Sequence, residues 1–145
     1  MRKLLPAALA ALALLGACVS LTQDQRYSRD IVGSWIVAGD SPDYRPVPMH
    51  ERFYKDGTAR IFWFADSTCT RITGETHLQW RIVGGVLVTT ITKVSDKKFG
   101  HVGDVLKARI VSLTGDRMVL HSLDDGSTFA RKRSTGCLAP KLETI

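Results

Sequence analysis

The sequence predicts an all-β fold, one small antiparallel up-and-down barrel of about eight strands set behind an N-terminal signal peptide. Three observations predict it. Apolar and polar residues alternate with period two, most clearly where Leu78, Trp80 and Ile82 are interleaved with His77, Gln79 and Arg81. Turn chemistry recurs between the alternating runs, at Asp56-Gly57, Gly84-Gly85, Thr114-Gly115-Asp116 and Asp124-Asp125-Gly126. No segment with the 3.6-residue period of a helix is longer than the signal peptide, though Asp30-Ile31-Val32 suits a short helical turn before the first strand.

Residues 1–17 read as the targeting segment. Arg2 and Lys3 open it, Leu4 to Leu15 form a Leu/Ala run interrupted by Pro6, and Gly16-Ala17 supply small residues for cleavage. The run is shorter than the ~20 apolar residues that span a bilayer. Leu15-Gly16-Ala17-Cys18 resembles the lipobox of bacterial lipoproteins, in which the cysteine thiolate takes a diacylglycerol and becomes the mature N-terminus. That resemblance implies lipidation at Cys18, stable anchoring by palmitate-like acyl chains, and, with Val19 rather than Asp next, an outer-membrane protein facing the periplasm. The alternative is ordinary cleavage after Ala17, leaving a soluble periplasmic chain.

The 145 residues carry a formal net charge of +6; removing Arg2 and Lys3 from the 20 basic residues leaves 18 against 14 acidic, a net of +4. This excess suits contact with acidic headgroups or polymers and is too small to imply nucleic-acid binding. With Cys18 lipidated, Cys69 and Cys137 are expected to pair as a disulfide, since exported domains fold in an oxidising compartment. Zinc is the weaker use of them, because neither lies in a close pair with Cys or His.

Residues 18–30 are polar and aperiodic and read as a tether; the barrel domain is placed at 31–133 and an irregular C-terminal tail at 134–145. The first strand is read from Gly33 through Ala38, followed by a proline-bearing loop to Pro48. Met49 to Tyr54 and Thr58 to Ala65 make one hairpin across Lys55-Asp56-Gly57. Arg71 to Val83 and Val86 to Thr92 make a second across Gly84-Gly85. Lys93 to Gly103 is a long connection. Leu106 to Ile110, Arg117 to Leu123 and Ser127 to Arg133 complete the set, with Cys137 expected to pin the tail to the barrel.

Gly33-Ser34-Trp35 on the first strand, with Arg131 or Arg133 on the last, resembles the calycin superfamily, which includes the lipocalins. Phe53-Tyr54-Lys55-Asp56-Gly57-Thr58 and Gln79-Trp80-Arg81-Ile82 are similar to stretches of the short lipocalin-like domains of bacterial exported proteins. The resemblance covers Asp30 to Arg133. It implies that Trp35 is a core anchor near the barrel floor, packed beneath Arg131 or Arg133 in a cation–π contact. An eight-stranded interior is just wide enough to be filled by side chains or to hold one small ligand.

Catalytic groupings are missing from the sequence: there is no Gly-x-Ser-x-Gly, no glycine loop leading into a helix, and no histidine spacing that favours a metal. His50 and Glu51 are adjacent on a strand and so face opposite ways. The expected function is therefore non-enzymatic and cofactor-free: a barrel binding a small apolar or amphiphilic ligand. Trp63, Trp80 and Ile91 are the expected wall residues, and Lys97 to Phe99 lie near the entrance. The alternatives are an interaction module, such as a protease or lysozyme inhibitor acting through Val19 to Asp30, and an accessory lipoprotein with an envelope-protein partner.

Overall fold

A computed structural model describes residues 20–42 and 48–137 of the chain. Eight strands run β1 Gly33–Val37, β2 Met49–Phe53, β3 Thr58–Phe64, β4 Ile72–Val83, β5 Val86–Val94, β6 Val105–Leu113, β7 Arg117–Ser122 and β8 Thr128–Arg133. Each pairs antiparallel with the next, and β8 returns to β1, so the sheet closes as a barrel. Closure satisfies the ladder groups that an open edge would expose. The all-β, up-and-down expectation is met strand for strand, with ends shifted by a residue or two and β5 and β6 longer than read from sequence.

Because strands alternate in direction, the β2–β3, β4–β5 and β6–β7 turns lie at one end of the barrel, with the start of β1. The remaining connections lie at the other end. Pleating sends Phe53, Ala59, Leu78, Ile82, Leu87, Ile110, Met118 and Leu120 inward, where they join Trp35 in one buried cluster. Each flanking polar residue faces out, and this is why β4 alternates so cleanly.

One element departs from expectation. Most of the stretch read as a tether is a helix, α1 Gln23–Asp30, and the folded unit begins there rather than at residue 31. Thr22 is its N-cap: the hydroxyl accepts from the Gln25 amide while the Gln25 side chain accepts from the Thr22 amide, a reciprocal capping box. Eight residues are too few to hold a helix alone in water; packing on the barrel sustains it.

Cys69, on the β3–β4 connection, is joined by a disulfide to Cys137, past the end of β8. The tail is strapped to the wall on its way there: Ser134 donates its amide to the Ser34 carbonyl, and Met49 donates to the Cys137 carbonyl at 2.9 Å. Residues 1–19, with Cys18 and the segment read as a signal peptide, and residues 138–145 of the tail lie outside the described residues.

Candidate functional site

The end of the barrel where β1 starts is sealed. α1 crosses it, and Asp24 accepts hydrogen bonds from the amides of Gly84 and Gly85 in the β4–β5 turn at 2.7 and 2.8 Å. Ile31 follows the helix and is fully buried, and its carbonyl accepts from the indole N–H of the equally buried Trp35 at 2.8 Å. The Arg133 guanidinium stacks 4.1 Å from the Trp35 ring and donates to the carbonyls of Asp30, Val32 and Gly115. One side chain thereby ties helix, first strand and β6–β7 turn together. The glycine two residues before the tryptophan is required by its backbone and leaves room for that contact. Gly33 has φ +130°, and a Cβ there would lie 2.2 Å from the Arg133 Nη1 atom.

At the opposite end, half the barrel is plugged. A short 3-10 turn, η1 Lys97–Phe99, is capped by Asp96, and its Phe99 carbonyl accepts from the buried Thr76 hydroxyl. Phe99 stacks on Trp63 with ring centres 5.4 Å apart and lies against Gly74, where a side chain would collide with the ring. The plug covers β3, β4 and β5 and leaves the β6–β8 side open.

Through that side opens a cavity of about 350 Å³. Its wall is largely hydrocarbon, from Phe53, Ala59, Ile61, Leu78, Leu87, Ala108, Met118, Leu120 and Phe129. Leu106, Lys107, Asp124, Asp125 and Ser127 stand around its mouth. Within the wall lies an ion pair: Arg131 Nε donates to Glu51 Oε2 at 2.9 Å, both side chains less than one-fifth exposed. Arg131 also lies 4.7 Å over the Phe129 ring and donates to its own neighbour, the Ala130 carbonyl. At the mouth Asp125 accepts from the Ser127 amide and hydroxyl, which push its carboxyl pKa down to about 2. The arrangement can shelter an apolar body and hold a polar end beside a charged pair.

The residues expected to bind ligand are placed elsewhere, and this corrects the sequence reading. Trp63 and Phe99 form the plug, and Ile91 lies beneath it, buried and in contact range of Gly100. Trp80 belongs to the sealed half, edge-on to Phe53, its indole N–H donating to the Tyr54 and Thr58 carbonyls across the β2–β3 turn. None of the four borders the cavity. Of the two core-anchor arginines, Arg133 meets Trp35 and Arg131 does not, because β8 alternation puts it two residues further along the interior. The run Arg131-Lys132-Arg133 is accordingly no surface patch; only Lys132 is exposed. Glu51 was recoverable from sequence: in Met49-His50-Glu51-Arg52-Phe53 the apolar ends fix the inward parity, and Glu51 shares it.

His50 faces out from β2, as expected from its opposite parity to Glu51. Burial, and then the charge of Arg52, hold its pKa below the ordinary 6.5. Among the described residues no cluster of three or more His, Cys, Asp or Glu could hold a metal ion. The segment an inhibitor would insert into a target is committed, from Gln23 on, to closing the barrel.

Comparison with known proteins gives the fold. No protein-family model matches the sequence, and no curated protein matches it. Two solved structures are similar. A lipocalin-like protein from Bacteroides uniformis aligns with a TM-score of 0.56 and 12% identity, over 72% of this chain and 99% of that one. An uncharacterized protein from Bacteroides eggerthii aligns with a TM-score of 0.53 and 13% identity, over 72% of this chain and all of that one. The chain has a lipocalin-like barrel fold.

Proposed function

We propose that this chain is a non-catalytic envelope protein, lipid-anchored through Cys18, whose barrel holds one small apolar or amphiphilic molecule. The observation that carries the ligand reading is the cavity: hydrocarbon walls, one sealed end and one open side, at a volume typical of small-molecule sites. Anchoring is supported by Leu15-Gly16-Ala17-Cys18 and the apolar run before it. The Glu51–Arg131 pair suits a ligand with a polar terminus, its chain lying against Leu78, Met118 and Leu120.

Native mass spectrometry of the purified protein with medium-chain fatty acids and lysophospholipids tests the ligand. A one-to-one complex is expected, and Ala108→Trp, which fills the cavity, should weaken it by about tenfold or more while the far-ultraviolet spectrum stays unchanged. Absence of any complex, or equal binding by Ala108→Trp, would sink the reading. The anchor is tested separately by the mass of the N-terminal peptide, which should begin at Cys18 with a diacylglyceryl adduct.

A further inference from the structure

Outward-facing side chains on β2 to β6 form a field of cations. In register, Arg52 on β2 lies opposite Arg60 on β3, Arg60 opposite His77 on β4, and His77 opposite Lys93 on β5. A parallel row places Arg81 on β4 opposite Val88 on β5, and Val88 opposite Lys107 on β6, with Arg109 two residues further along. Arg52, Arg60, Arg81, Lys93, Lys107 and Arg109 are all exposed. Among the outward residues of these five strands the one carboxylate is Glu75, shared by Arg60 at 3.3 Å and His77 at 2.9 Å. Arg52 and Arg60 are like charges directly opposite on neighbouring strands, an unfavourable pairing, and six exposed cations against one carboxylate leave the wall positive and suited to an anionic partner.

The chain's own N-terminus indicates which partner. Asp24 pins the start of α1 to the β4–β5 turn, a few residues from Arg81 on this same wall. The apolar run Leu4–Leu15 and the lipobox cysteine precede it. Five residues of chain from Cys18 to Gln23 reach at most about 18 Å, so a membrane holding Cys18 lies within that distance of the sealed end. The tether lets the wall approach to within the Debye length of about 8 Å at physiological salt, where the charged field and a negatively charged bilayer surface attract.

We propose that the β2–β6 wall is a docking face for anionic phospholipid headgroups, which lays the barrel on its side against the membrane that anchors it. The proposal rests on the anchoring reading for its geometry, and on the register of cations for its chemistry. The cavity mouth, on the β6–β8 side, is then held near the headgroup layer without being closed by it.

The test uses the full chain, purified from bacterial membranes and reconstituted into vesicles of phosphatidylcholine alone or mixed with phosphatidylglycerol. Lysines are acylated briefly with an amine-reactive ester and each site is read by mass spectrometry. Lys93 and Lys107 are expected to label several-fold more slowly on the anionic vesicles, with the difference lost at high salt. Lys132, on β8 across the barrel, should label equally on both. Exchanging both Arg60 and Arg81 for Gln, both exposed, should remove most of that protection. Equal labelling of Lys93 and Lys107 on both vesicles, or equal protection of Lys132, overturns the docking face. The N-terminal peptide in the same spectra reports the anchor independently. If it lacks a lipid, the anchoring reading fails by itself, and the same contrast with vesicles added from solution judges the face.

Discussion

Glu51 and Arg131 show how much a single pair decides inside a largely apolar cavity. Arg131 holds the Glu51 carboxylate, so removing the arginine leaves that carboxylate facing hydrocarbon. Arg131→Met is expected to destabilise the fold by about 3 kcal/mol, at the low end for a buried pair because the cavity admits water; urea unfolding measures it. Replacing both by Leu and Met should recover most of that loss and abolish any preference for ligands with a polar end. His50 supplies a pH dependence whose sign follows from its burial. The unfolded chain takes up the proton near pH 6.5, while the folded one holds out to lower pH. Below about pH 6.5 the unfolded state therefore binds more protons, and stability falls as pH drops through the interval between the two values. Above it the contribution is full. Thermal melts of the parent and His50→Gln should run parallel above about pH 7 and diverge below it, with the parent losing more.

The helix and its fastening operate at the scale of elements. α1 has a sequence signature, Thr22 followed by Gln25, but its eight residues carry too few apolar side chains to reveal a face. What fixes the helix is the β4–β5 turn. Gly84 and Gly85 both take positive φ, and their amides converge on the Asp24 carboxylate. Asp24→Ala should release α1 from the turn, speeding amide exchange of the helix and of Gly84 and Gly85 by about tenfold, with β3 and β7 unchanged. The same reasoning explains Phe99. From sequence it belongs to a charged loop, and an entrance position is the natural reading; in the fold Gly74 and Trp63 offer it a slot, and it becomes a plug.

For the molecule as a whole, the disulfide and the closed sheet restrain the chain together. Cys69 and Cys137 enclose 68 residues of sequence separation, five of the eight strands lying between them. Reduction is expected to lower stability by about 4 kcal/mol in the chain-entropy account, and the melting temperature by roughly 15 °C. Calorimetry with and without reductant checks this, and Cys137→Ser should reproduce it.

The strands and their turns were legible in the order of residues, because period-two alternation and glycine turns are local signals; the position of Trp35 under a late arginine was implied by the calycin resemblance of Gly33-Ser34-Trp35. The cysteine pairing followed from counting. Which of Arg131 and Arg133 meets the tryptophan depended on the register between β8 and β1, a relation between residues about a hundred positions apart. Whether Trp63, Trp80, Ile91 and Phe99 would line a ligand space was likewise undecidable along the chain. Inward parity says only that a side chain enters the barrel, and the depth at which it sits is set by closure, by the helix at one end and by the plug at the other. The sequence by itself determined a barrel and its polarity of faces; the folded structure alone decided where its interior stays empty, since a void is bounded by many strands at once and belongs to none of them.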